Sequence, residues 1–176
     1  SGDAKSYAER LFVYPKIGAL DEIAARDAIL KPLAAENVQI ESQAIERINE
    51  KTGGYPFFLQ EWGHHAWNVA DGSPIETDDI DLATKRALAR LDEGFFRVRF
   101  DRLTNAEVEY VEAMASLGKG PYKVNDVAKV LQKQPKSLGP RRASIITKGM
   151  IYSPSYGEID FTVPLFDDFL RRNKLW

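Results

Sequence analysis

Residues 145–163 read IITKGMIYSPSYGEIDFTV, and the way this stretch divides decides the fold. Ile145 lies one heptad after Leu138, which puts both on the same side of a helix. Gly149 stops that helix, because glycine enters the left-handed C-terminal conformation without steric cost. Met150-Ile151-Tyr152 then reads as an extended segment, Ser153-Pro154-Ser155-Tyr156-Gly157 as a turn, and Ile159–Val163 as the returning strand. A helix end followed by a β-hairpin is the result.

Working outward, Thr104 and Glu107 have the spacing of a capping box, in which each side chain satisfies the other residue's exposed backbone N–H. The helix they open carries Val108, Val111 and Met114/Ala115 inward and ends at Gly118. A short helix with Val127, Val130 and Leu131 inward follows, and after Gln132–Lys136 comes the helix of Leu138 and Ile145. Leu165, Phe166, Phe169 and Leu170 form a closing helix beyond the hairpin. Three helices and a hairpin, in that order, make residues 101–176 a winged helix-turn-helix domain.

The preceding part is helical. From the N-cap Asp21, the positions Ile23, Ala24, Ala28, Ile29 and Leu33 recur at helical spacing, with Pro32 marking the approach of the end. A second helix spans Ser42–Thr52 with Ala44, Ile45 and Ile48 inward, and Gly53-Gly54 ends it. Pro56 opens a third at its first turn, where a missing N–H costs nothing, with Phe58, Trp62, Ala66 and Val69 inward. After the turn Asp71-Gly72-Ser73-Pro74, Thr77 caps a long helix with Ile80, Ala83, Ala87, Leu91, Phe95 and Val98 on one side. Residues 21–100 are thus a helical bundle with its connecting helix, and residues 10–17 read as a short extended segment limited by Pro15. The expected class is mostly α, a helical bundle followed by a winged helix with a small β-hairpin.

Composition narrows the function. With 44% apolar and 28% charged residues the 176-residue chain is globular and not disordered. It contains no cysteine, which excludes disulfides, thiolate nucleophiles and Cys-based zinc sites and fits a cytoplasmic setting. No apolar run approaches the length of a membrane span. Residues 1–100 hold 12 Lys/Arg against 17 Asp/Glu, whereas residues 101–176 hold 12 against 9. Eight of the latter's basic residues fall within 119–148, with Asp126 the one acid among them. Such an excess attracts an anionic partner, or else is a solvated face.

Nothing here reads as a catalytic constellation. No Gly-rich loop ending in Lys-Ser/Thr is present to cradle phosphates. His64 and His65 are adjacent on a helix, point about 100° apart and cannot share a metal face. The pairs Asp78-Asp79 and Asp167-Asp168 sit at helix starts, where carboxylates meet the positive end of the dipole. Tyr55, Trp62, Trp67 and Trp176 read as packing residues. The corner Thr52-Gly53-Gly54-Tyr55-Pro56 is the one short motif between helices that stands out.

The segment Leu11–Leu33, the corner Gly-Gly-Tyr-Pro-Phe-Phe-Leu-Gln at 53–60, and the stretches Ile146–Ile151 and Phe161–Phe166 together resemble the C-terminal portion of prokaryotic AAA+/STAND-type ATPases, the archaeal-ATPase-like group related to origin-recognition proteins. The resemblance covers nearly the whole chain. It implies that residues 1–20 are the exit segment of an ATPase core, 21–100 its helical lid and connecting helix, and 101–176 its winged helix. It also implies that Gly54 and Pro56 belong to the family's Gly-x-Pro lid motif, with the proline against adenine. Walker A, Walker B and the first sensor are missing. The chain is therefore expected to be a fragment, inactive alone, whose missing N-terminal core in cis would bind ATP and Mg. Arg86 and Arg90 are available as a lid sensor, but no motif selects either.

For the winged helix the expected partner is DNA, held without base specificity through Lys123, Lys129, Lys133, Lys136, Arg141 and Arg142, or else a protein in a regulatory interaction. With Leu138 at the centre of the buried stripe, the outward face of its helix carries Gly139, Pro140, Ala143, Ser144 and Thr147, all short. Base edges in the major groove are read by longer donors. The alternative is a nucleotide-independent winged-helix transcription regulator or a protein-interaction adaptor.

Overall fold

A computed structural model describes residues 18–173, which divide into two compact units at Lys85/Arg86. The expected extended segment 10–17, most of the exit segment and Trp176 lie outside the described residues. In the first unit α1 (Glu22–Ala35) begins where the Asp21 carboxylate accepts from the Ala24 N–H at 2.8 Å. Its buried stripe is Ala25, Ile29 and Leu33, while Ile23 is 78% exposed and Ala28 faces solvent, a rotation of the expected face. Helix α2 (Ser42–Thr52) buries Ala44, Ile45 and Ile48 as expected. Helix α3 (Pro56–Val69) starts with proline at its first turn and buries Phe58, Leu59, Trp62 and Ala66. Leu59 replaces the half-buried Val69 in its stripe, and Trp67 is 47% exposed, so it is no core residue. The Trp62 indole N–H donates to the Thr84 hydroxyl at 2.9 Å, which lets this large ring be buried without an orphaned donor.

Helix α4 (Thr77–Leu91) buries Ile80, Ala83, Ala87 and Leu91. Thr77 is its first helical residue and not its cap: the Asp79 carboxylate caps the Glu76 N–H at 2.9 Å, and the Thr77 hydroxyl donates to Glu41. A π turn, Asp92–Phe96, then joins it to α5 (Arg97–Phe100). The extra residue of that turn re-phases the helix. Phe96, not Phe95, is buried, and Val98 is half exposed.

The second unit is the winged helix. Helix α6 (Asn105–Ser116) opens with the capping box of Thr104 and Glu107. Strand β1 (Tyr122–Lys123) leads into α7 (Val124–Val130), a 3₁₀ turn (Pro135–Leu138), α8 (Gly139–Thr147), the strands β2 (Ile151–Tyr152) and β3 (Glu158–Phe161), and α9 (Phe166–Arg172). The hairpin is antiparallel with Ile151 opposite Phe161, and β1 pairs on the other edge of β3, giving the order β1-β3-β2. The core is Tyr110, Val111, Met114, Val127, Ile145, Ile159, Phe166 and Phe169, with Phe96 stacked on Phe169 at 5.3 Å. Val130 is 45% exposed and Ala128 takes its expected place inside. Arg171 donates to the Ala115 and Gly118 carbonyls at 2.9 Å each while Asp167 and Asp168 hold its guanidinium, tying α9 to the end of α6.

Candidate nucleic-acid interface

The lid-like corner is built by two successive left-handed glycines, Gly53 (φ 59°) and Gly54 (φ 73°). A Cβ on Gly54 would stand 2.9 Å from the Leu20 carbonyl oxygen, and the Leu20 N–H donates to the Gly54 carbonyl at 2.9 Å. Gly54 is therefore fixed by conformation and by close approach of the chain. Thr52, 1% exposed, donates to the Ile48 carbonyl at 2.8 Å and accepts from the Gly54 N–H at 3.3 Å. Pro56 leaves the corner half-buried, with part of its ring open. Arg86 and Arg90 lie on α4 in the stretch after the division between the units.

On the winged helix, four of the six basic residues expected at an interface gather around Asn125. Lys123, directly before α7, and Arg142, half-buried on α8, line a hollow of about 620 Å³ with Asn125, Ile146, Ser153 and Tyr156. Glu158 also borders it, its carboxylate accepting from the Ser155 hydroxyl at 2.6 Å. Lys129 and Lys133 line an adjoining hollow of about 480 Å³ with Asn125, Gln132 and Gln134. The wing is pinned to this surface by the Val124 N–H, which donates to the Gly157 carbonyl at 3.0 Å, and Tyr156 at its tip is fully exposed.

The charges differ in availability. Lys129 pairs with Asp126 at 2.8 Å, which holds that carboxyl below its usual range. Arg141 points to Glu109 at 3.4 Å and lines neither hollow, and Lys136 on the 3₁₀ turn also stands apart from both. Lys148 is consumed: it donates to Glu107 at 2.6 Å and to the Arg102 carbonyl at 2.7 Å. Among the described residues, Lys123, Lys133, Lys136 and Arg142 form no ion pair.

The outward face of α8 exposes four of the five expected residues, Pro140, Ala143, Ser144 and Thr147, with Gly139 half-buried. Ser144 is exposed, but its hydroxyl donates to Glu107 at 2.6 Å. The Thr147 hydroxyl donates to the Ala143 carbonyl at 3.0 Å. Ile146, absent from the expected face, is 39% exposed and lies beside Arg142 in the wall of the first hollow. Periodicity counted from Leu138 could not find this, since Leu138 sits in a 3₁₀ turn whose residues advance faster than 100°.

Among the described residues no cluster of acidic residues and histidines is placed to hold a metal, and no helix is long and apolar enough to cross a membrane. A family model described as "Domain of unknown function (DUF8462)" matches residues 93–170. An uncharacterized HTH-type transcriptional regulator of Methanocaldococcus jannaschii is 28% identical over 117 residues, 57% of this chain. A mutant of Thermotoga maritima RuvB superposes over 85% of this chain at 19% identity and a TM-score of 0.38. The T. maritima RuvB Holliday junction branch migration motor does so at 16% identity and a TM-score of 0.36. Superpositions this loose carry no argument about function. The chain spans 28% of the length of the Methanocaldococcus relative and 47% of the RuvB chains.

Proposed function

We propose that residues 101–176 are a DNA-binding winged helix that holds duplex DNA chiefly by its phosphates. The observation that carries this reading is the grouping of Lys123, Arg142, Lys129 and Lys133 in two adjoining hollows that share Asn125. Cations before α7, on α7 and the turn after it, and on α8 suit the phosphates along one face of a duplex. Lys136 and Arg141 become peripheral, the first outside both hollows and the second paired with Glu109. The name of the Methanocaldococcus relative, an HTH-type transcriptional regulator, supports the same reading. Fluorescence anisotropy of the 176-residue chain with a labelled duplex tests it. Binding that Lys123→Glu with Arg142→Glu weakens at least tenfold is expected; no binding at low salt would overturn it.

Residues 21–100 we read as the helical lid of a cytoplasmic AAA+/STAND-type ATPase. The support is the resemblance together with a corner that fits the lid's share of an adenine site: a half-buried, partly open Pro56 held in place by the constrained Gly54. ATP and Mg would be held by a nucleotide-binding core, for which the sequence supplies no phosphate loop. Titration calorimetry of this chain with Mg-ATP is expected to show no site tighter than high micromolar. In a chain that includes such a core, Pro56→Ser is expected to weaken ATP binding without loss of stability. Unchanged affinity would make the corner a helix start only.

A further inference from the structure

We infer that the recognition helix reads thymine methyl groups, so that the domain favours A·T-rich duplex by apolar contact and not by hydrogen bonding; this rests on the DNA reading above. The exposed residues of α8 are Pro140, Ala143, Ser144, Ile146 and Thr147. None of these offers a free donor. Proline and alanine have none, the Thr147 hydroxyl is spent on the Ala143 carbonyl at 3.0 Å, and the Ser144 hydroxyl is spent on Glu107 at 2.6 Å. The Ser144 and Thr147 oxygens can still accept, but the rest of what meets the floor of a major groove is a row of apolar groups, and the base-edge feature that suits such a row is the C5-methyl of thymine.

The occupant is specified by what surrounds the row. Lys123 and Arg142 border Ile146 in the same hollow, and neither has an ion pair among the described residues. A protein partner would be expected to bring carboxylates to these cations. A duplex brings phosphates on either side of an apolar strip, and that is the arrangement seen: cations at the edge, methyl groups on the helix. Arg142 and Lys123 are long donors bordering the strip, and their place at the edge suits phosphates or, for Arg142, a flanking guanine, outside the strip itself.

The test is a duplex of fixed sequence, about 20 base pairs and A·T-rich, prepared once with thymine and once with uracil in its place. The substitution removes only the C5-methyl groups. Anisotropy of the full 176-residue chain is expected to show tighter binding to the thymine duplex, by about fourfold for each methyl buried. Ile146→Ser lies on the surface and should leave the melting temperature unchanged. It should abolish most of the thymine preference while the uracil duplex still binds. Equal affinity of the unaltered chain for both duplexes would overturn the inference and leave phosphate binding standing. Failure to bind either duplex at low salt would overturn the DNA reading and this inference with it. A thymine preference that Ile146→Ser leaves intact would place the reading elsewhere and overturn the assignment to α8.

Discussion

Glu107 is only 4% exposed, yet its carboxylate is charged and fully used. Burial works against the ionised form, but hydrogen bonds from Lys148, Ser144 and the Thr104 N–H outweigh it and bring the carboxyl from the usual 4.5 to about 2. One side chain thereby caps α6, fixes the end of α8 and takes up the Ser144 hydroxyl proton. Glu107→Gln is expected to lower unfolding free energy by about 1–3 kcal/mol, the range for a lost hydrogen bond to a charged, buried group. A folded-state pKa held below the unfolded one gives stability that is present above the unfolded value and lost as pH falls through the folded one. The advantage of Glu107 over Gln should therefore be full above about pH 4.5 and disappear towards about pH 2, as urea titrations at several pH values would show. Tyr110 is the opposite case. Its hydroxyl is buried with no hydrogen-bond partner among the described residues, and burial pushes its pKa up despite the nearby charges of Arg142 and Arg141. Tyr110→Phe should leave stability unchanged or raise it by up to about 1 kcal/mol. A clear loss in a denaturation curve would mean that the hydroxyl is bonded.

At the scale of elements, legibility followed local signals. Helix α2 was readable to the residue because a glycine pair ends it, and the capping box of α6 was readable from two positions. Strand β1 was not, because two residues are too few for alternation to show. The π turn was invisible to a count at 3.6 residues per turn, which put Phe95 and Val98 inside where Phe96 belongs. Phe96 meets Phe166 and Phe169, whereas Phe95 lies partly exposed under the Arg99 guanidinium, 3.8 Å from its ring. Phe96→Ala is expected to cost about 3–5 kcal/mol by chemical denaturation and Phe95→Ala far less, about 1 kcal/mol. Equal costs would mean that the helix is not re-phased. The candidate site was legible in kind and not in detail. The basic residues near 119–148 could be named, but a sequence does not show that Glu109 takes Arg141, that Glu107 takes Lys148 and Ser144, or that Ile146 reaches the surface.

At the scale of the whole chain, two compact units carry opposite charge surpluses: residues 1–85 hold 8 Lys/Arg against 15 Asp/Glu, and residues 86–176 hold 16 against 11. The basic unit keeps Lys123, Lys129, Lys133 and Arg142 around α7 and on α8, and it spends the Ser144 and Thr147 hydroxyl protons internally. Binding dominated by phosphates releases condensed counterions, and that release is measurable without knowing any preferred sequence. The decisive measurement is duplex affinity as a function of salt. If Lys123, Lys133 and Arg142 each neutralise a phosphate and Lys129 exchanges Asp126 for a fourth, the plot of log K against log salt has a slope of about −3.6, and Lys133→Glu flattens it by about 0.9. A slope near zero, or one that Lys133→Glu and Lys123→Glu both leave unchanged, would contradict the account.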